Sequence, residues 1–234
     1  MEQDSGIVTG ITASRLSRAY RVRVAKLLVV ELPLIADKVR ELRDENTKNA
    51  DFLRLAGEIT RYLTYEAFRD APTVETTVDT PVQKGAIATR VDREYVIVPI
   101  LRAGLGMSPA IQQVLPRHRV CLVGLRRNEV TLQPDVYLDG LPEDLADASI
   151  VLCDPMLATG GSLVCVIDML RERGAGEITV LCLIASRQGV AHVHEHHGDV
   201  TIATAALDPV LNDVGYIMPG LGDAGDRLFG PPAR

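Results

Sequence analysis

From Tyr95 onward the chain alternates short, wholly apolar runs with small-residue turns and helical stretches. That alternation predicts a mostly parallel sheet with helices over both faces. Tyr95-Val-Ile-Val-Pro-Ile-Leu101 leads into Arg102-Ala-Gly-Leu-Gly106, Val120 to Leu125 into Arg126-Arg127, Ile150 to Cys153 into a Thr-Gly-Gly-Ser turn, and Ile178 to Ile184 into Ala185-Ser-Arg187. Ahead of these runs the period is helical. Leu32, Leu34, Ile35, Val39 and Leu42 mark one helix over Leu32 to Arg43; Phe52, Leu53, Leu55, Ile59, Leu63 and Phe68 mark a second, closed by Pro72. The polar, alternating stretch between Arg127 and Leu145 predicts a hairpin over the ends of the strands. Residues 1–30, with Arg15, Arg18, Arg21, Arg23 and Lys26 among small residues, read as an N-terminal extension or arm, and 31–234 as a single α/β domain.

Composition narrows the partners. Aromatic residues make up 4% with no Trp, and the net charge is −6, which disfavours both a stacking surface for single strands and a general nucleic-acid binder. No apolar run is long enough to span a bilayer, and the acidic start Met1-Glu-Gln-Asp4 lacks the form of a secretion signal, so a cytoplasmic protein is expected. Cys121, Cys153, Cys165 and Cys182 have no metal-ligand spacing and read as buried thiols.

Ligands of parallel sheets collect at the carboxyl ends of the strands, where the polar residues of this chain fall. In Ile150-Val-Leu-Cys-Asp-Pro-Met-Leu-Ala-Thr-Gly-Gly-Ser162 an apolar strand meets two hydroxyls and two glycines at a helix start, which suits an anion facing unpaired N–H groups and the helix dipole. Asp154 adds an acceptor for sugar hydroxyls or a metal-bound water. Arg102 on its glycine-rich loop supplies a second anion site, so one substrate phosphorylated at both ends would bridge the two. Gly220-Leu-Gly-Asp-Ala-Gly225 spells the dinucleotide fingerprint but follows Met218-Pro219 with no βαβ unit behind it; it reads as a rigid loop whose backbone meets a small planar ligand. His192, His194, His196 and His197 read as the exposed C-terminal end of a helix, with no metal site expected.

Taken together, Val98 to Met107, Arg127-Asn-Glu129, Asp154 to Ser162, Gly215 to Arg227 and Leu63-Thr-Tyr-Glu-Ala67 resemble the uracil phosphoribosyltransferase family over about Leu32 to Gly230. The Asp154-Pro155 pair separates the chain from most other phosphoribosyltransferases, which carry two acidic residues there. The resemblance implies a type I phosphoribosyltransferase-like fold with a β-hairpin lid and a C-terminal base-binding hood, and transfer of ribose 5-phosphate from 5-phosphoribosyl 1-pyrophosphate (PRPP) to uracil, with Mg²⁺. It implies that Asp154, Pro155, Met156, Leu157, Ala158, Thr159, Gly160, Gly161 and Ser162 bind the phosphoribosyl part, and that Arg102 and Arg127 engage the pyrophosphate. By the same resemblance Ile217, Gly222, Asp223 and Ala224 hold uracil; Asp223 also approaches PRPP, and Arg102, Arg127, Asp154 and Asp223 form the catalytic set. Members of the family are homodimers or larger, up to the homotetramer, and some take GTP as an effector.

Three positions depart from the family pattern: Arg126 stands where Tyr is common, Leu32 where His is common, and Val210 where Gly is common. The lid departs too, with the acidic Pro134-Asp135-Val136 in place of a more apolar stretch. Two other readings are a related transferase with altered base choice and a non-catalytic sensor that kept the fold.

Overall fold

The computed structural model describes residues 26–127 and 134–230. The first half comprises β1 (Lys26–Val29), α1 (Pro33–Arg43), α2 (Asn49–Ala67), β2 (Thr73–Val78), β3 (Ala86–Val91), β4 (Tyr95–Leu101), α3 (Ser108–Val114), β5 (His118–Val120), β6 (Val123–Arg127) and β7 (Pro134–Asp139). The second comprises β8 (Ser149–Cys153), β9 (Met156–Leu157), α4 (Gly161–Glu172), β10 (Glu177–Ser186), α5 (Arg187–His196), β11 (Thr201–Asp208), β12 (Val210–Leu211), β13 (Ile217–Met218) and α6 (Ala224–Phe229).

The main sheet has nine strands in the order β1-β11-β10-β8-β4-β6-β7, with β5 also on β4 and β9 also on β10. Every pairing in it is parallel except β6 with β7. Its central strands β4, β8 and β10 are apolar on both faces because both faces are covered, and the period of two sorts their side chains. Ile97, Val151, Cys153, Leu181 and Leu183 face a core shared with Ile35 and Leu42 of α1 and with Phe52, Leu55, Ile59 and Leu63 of α2. Val96, Val98, Ile150, Leu152, Val180 and Cys182 face the other core, against Leu163, Val166, Ile167 and Leu170 of α4 and Val190 and Val193 of α5. Each large side chain so buried contributes about 1.5–3 kcal/mol of transfer free energy.

The helices obey their sequences. Pro33 stands in the first turn of α1, and Arg40 and Arg43 occupy its last turn, where the dipole favours cations. The expected second helix ends at Ala67, five residues before Pro72. One expectation changes. The strand read over Val120 to Leu125 is split, because β5 pairs with Tyr95–Ile97 and β6 with Ile100–Leu101 of the same β4. At the end of the segment read as an extension, Lys26–Val29 pairs with Thr201–Thr204, and Val30 N donates to Thr204 O. The basic residues Arg15 to Arg23 lie outside the described residues. The hairpin of β2 and β3 and the strand β11 were not anticipated. All four cysteines are free; Cys153 and Cys182 are buried in strands, whereas Cys121, between β5 and β6, and Cys165, on α4, are only half-buried, so the expectation of four buried thiols holds for two.

Two glycines test the packing in opposite directions. A Cβ on Gly57, inside α2, would lie 4.0 Å from that of Ala110, an ordinary contact. Gly57→Ala is therefore expected to stabilise the fold by about 0.5–1 kcal/mol. On Gly104, in the turn Ala103–Gly106 after β4, a Cβ would lie 2.4 Å from Cys153 O. Gly104→Ala is expected to cost about 1–3 kcal/mol or more, with urea unfolding of the two variants as the measurement.

Candidate active site

The strand β8, buried throughout, delivers Asp154 to the carboxyl edge of the sheet, and the chain turns through Ala158 and Thr159 into α4. Gly160 precedes that helix at φ +88°, a left-handed conformation that glycine adopts without strain. No side chain caps α4 and its first turn holds no acidic residue, so its leading N–H groups remain available to an anion. The turn is braced from behind. Ser186, fully buried at the end of β10, donates to Ala158 O at 2.5 Å and accepts from Gly189 N at 2.8 Å. Gly189 lies so close that a Cβ there would stand 2.3 Å from Ala158 O.

Arg102 leaves the end of the neighbouring β4, and its Nη2 donates to Asp226 Oδ1 at 3.1 Å. Asp226 belongs to the first turn of α6, whose N-cap is Asp223, accepting from Asp226 N at 2.9 Å. The loop before α6 is fixed by a group that sequence reasoning missed. Asp208, at the end of β11 and buried, accepts from both Nη atoms of Arg43 at 2.7 Å and from Gly220 N at 2.9 Å. Arg43 also donates to Gly220 O at 2.8 Å. Arg227 completes the attachment, donating to Leu42 O and Leu221 O while its guanidinium sits 4.4 Å from the centre of the Phe52 ring.

Between these elements opens a cleft of about 750 Å³. Of the residues singled out in the sequence, Arg102, Asp154, Ala158, Thr159, Gly161, Ser162 and Asp223 line it. Gly160 shapes the same turn. Pro155 and Leu157 are buried, the latter in the core beneath α4, and Met156 packs against the opposite core, so their side chains turn from the cleft. Ile217 and Ala224 are buried in the loop region behind it. Gly222, at φ +81°, has nothing within 4 Å of where a Cβ would be, and it borders a second hollow shared with Arg43 and Arg227. Arg127 ends β6 opposite Pro134; Asn128 and Glu129 lie outside the described residues. Two of the departures meet on this wall: Arg126 and Asp135 stand directly opposite each other across β6 and β7, and Arg126 Nε donates to Asp135 Oδ2 at 2.8 Å.

Burial pushes the Asp154 carboxyl up to about 7; the N–H of Met156, 3.4 Å away, opposes the rise and the charge of Asp223 adds to it. A carboxyl poised there can either donate or accept a hydrogen bond, and it binds a hard cation only after losing its proton.

A mostly parallel sheet carrying an uncapped strand-to-helix turn, with a looped C-terminal segment folded over the same edge, defines the type I phosphoribosyltransferase fold. A family model described as uracil phosphoribosyltransferase matches residues 29–231. The uracil phosphoribosyltransferase of Streptococcus pyogenes serotype M49 (strain NZ131) is 47% identical over 208 residues, which is 89% of this chain and 100% of that protein. That of Enterococcus faecalis (strain ATCC 700802 / V583) is 46% identical over 207 residues, covering 88% and 99%. Among solved structures, the AQ2163 protein from Aquifex aeolicus superposes with a TM-score of 0.80 at 36% identity, over 87% of this chain and 98% of that one. The chain belongs to the uracil phosphoribosyltransferase family.

Removing Asp208 leaves Arg43 unpaired and the Gly220 amide without its acceptor. Asp208→Ala is expected to cost about 3–5 kcal/mol, measured by thermal unfolding. Asp154 has the opposite sign. Its pKa in the folded chain exceeds the ordinary value of 3.8, so the free protein bears no cost below about pH 4 and loses stability until ionisation is complete above about pH 7. Asp154→Asn should therefore melt higher than the parent protein at pH 8, with the difference gone at pH 4.

Proposed function

We propose that this chain catalyses transfer of ribose 5-phosphate from PRPP to N1 of uracil, giving UMP and pyrophosphate, in the salvage of uracil. The observation that carries the reading is the meeting, in one cleft, of the uncapped start of α4, the Arg102 loop and Asp223 of the C-terminal hood. The family of the chain and the names of its relatives support it further.

In this reading the backbone from Ala158 to Gly161 and the hydroxyls of Thr159 and Ser162 take the 5′-phosphate, and Asp154 meets the ribose hydroxyls. Arg102 and Arg127 take the pyrophosphate. As the bond from C1 to the pyrophosphate oxygen lengthens, positive charge grows on the ribose and negative charge on the leaving group, and cations fixed beside the latter lower the barrier. Arg102 is half-exposed and tied to Asp226 through a single nitrogen, so its guanidinium has donors left for an incoming phosphate oxygen. The cleft offers the carboxylates of Asp154 and Asp223, the hard oxygen donors that suit Mg²⁺ arriving with PRPP. That ion would add positive charge on the pyrophosphate side.

Uracil is held through backbone groups of Ile217, Gly222, Asp223 and Ala224, the open space beside Gly222 being consistent with a flat ligand. N1 forms the new bond to C1 as the pyrophosphate bond breaks, and its proton leaves; no general base is assigned, Asp223 of the hood being, among the described residues, the one candidate that lines the cleft on that side. Backbone donors and acceptors set for a 4-oxo group and N3–H would stand unpaired against cytosine, which rejects it strongly. The protein acts in the cytoplasm as a homodimer or homotetramer. Support for assembly comes from β2 and β3, which pair only with each other among the described residues and expose Val78, Val82 and Ile87.

The test is pyrophosphate release by the purified chain with PRPP and Mg²⁺, comparing uracil, cytosine and hypoxanthine, each with and without GTP. Release with uracil alone is expected. Release with another base would point to altered base choice, and saturable PRPP binding without release to a sensor. Arg102→Ala should lower kcat/KM for PRPP by about 10²–10³ with its melting temperature retained; unchanged turnover would remove Arg102 from the pyrophosphate site.

A further inference from the structure

One group of donor atoms beside the cleft has no part in the reaction above. His192, Glu195 and His196 on α5 each offer one ligating atom, and these atoms all lie within 4.8 Å of one another. Spacings of three and four residues bring them to one face of the helix. Sequence spacing alone reads the histidine tract as a helix end; the structure divides it. His194 Nε2 is engaged with Val200 O at 3.2 Å, and His197 stands 3.1 Å from the Asp168 carboxylate. His192 and His196 instead face each other, with ring centres 4.5 Å apart and planes inclined at 58°.

The hydrogen bonding also sets one imidazole for ligation. His196 Nδ1 lies 2.9 Å from His192 O. A carbonyl only accepts, so Nδ1 carries a proton and the neutral ring keeps its Nε2 lone pair free. Metal-bound histidines are oriented in just this manner, through the nitrogen that does not bind. A tetrahedral zinc ion with bonds of about 2.0–2.2 Å spaces its donors about 3.4 Å apart, so modest side-chain rotation closes the cluster on an ion.

We propose that His192, Glu195 and His196 form a binding site for a divalent transition metal of the zinc class, with a fourth position open to water. The two imidazoles distinguish it from a magnesium site, which is built from oxygens. It lies at the margin of the cleft: His192 is one of the lining residues, and its ring packs so closely on the phosphate turn that a Cβ on Gly160 would stand 3.2 Å from His192 Cδ2. A bound metal would therefore fix a side chain of the cleft wall without replacing any group that holds substrate.

Titration of the full, tag-free chain with Zn²⁺ in excess Mg²⁺ tests this by calorimetry, with Co²⁺ as a spectroscopic substitute. Expected are one zinc per chain and the intense visible absorption of four-coordinate cobalt. His196→Ala, an exposed substitution on a helix, should weaken zinc by about tenfold or more through loss of one of three ligands. His194→Ala should leave the affinity unchanged, and circular dichroism confirms that both variants fold. Absence of saturable zinc binding by the parent chain would overturn the proposal. So would zinc binding that persists at full affinity in both His196→Ala and Glu195→Gln.

Discussion

Asp208 emerges from the carboxyl end of β11 nearly out of reach of water, and its two oxygens take both arms of the Arg43 guanidinium and the amide of Gly220. The pair brings a helix from the start of the domain to a loop near its end. A carboxylate buried in this way is tolerable only when fully engaged, and here it is. The segment beyond Gly220 starts from that anchorage and is held further on by Arg227, and the two together set the loop through Gly222, the capping of α6 by Asp223 and the position of Asp226 against Arg102. The cleft is thus assembled from segments far apart in sequence, each held by hydrogen bonds that lie behind its working surface.

The opposite wall is organised by close approach. Gly104 against Cys153 O and Gly189 against Ala158 O are places where one backbone meets another with no room for a side chain. Both bring neighbouring strand-to-helix turns together, so the Arg102 loop and the start of α4 converge on one volume. Ser186 adds direction to this packing, since a single buried hydroxyl fixes both Ala158 and Gly189.

The central sheet was legible because β4, β8 and β10 are buried on both faces and read as continuous apolar runs. β11 escaped notice: Thr201-Ile-Ala-Thr-Ala-Ala carries small residues that bury well between neighbours but give little periodic signal. β2 and β3 escaped for the reverse reason, as an exposed hairpin whose few apolar residues are scattered over both faces. Arg102, Asp154 and the Thr159–Ser162 turn stand out in sequence because each lies at one strand end, and the fold brings them to one cleft. Arg43 and Asp208 do not, because a pairing across 165 residues leaves no local spacing to read. Glu195 acquired significance only when the helix placed it beside two imidazoles.

Arg126 and Asp135 look like separate departures in sequence and form one ion pair in the fold. Both are substantially exposed, so their attraction is screened by dissolved salt over a Debye length of about 8 Å at physiological ionic strength. The clamp at Asp208 is shielded from that screening by burial. Ionic strength therefore reaches the hairpin wall of the cleft and the half-exposed Arg102–Asp226 contact while sparing the Asp208 clamp, so neighbouring parts of one site respond differently to the same solution.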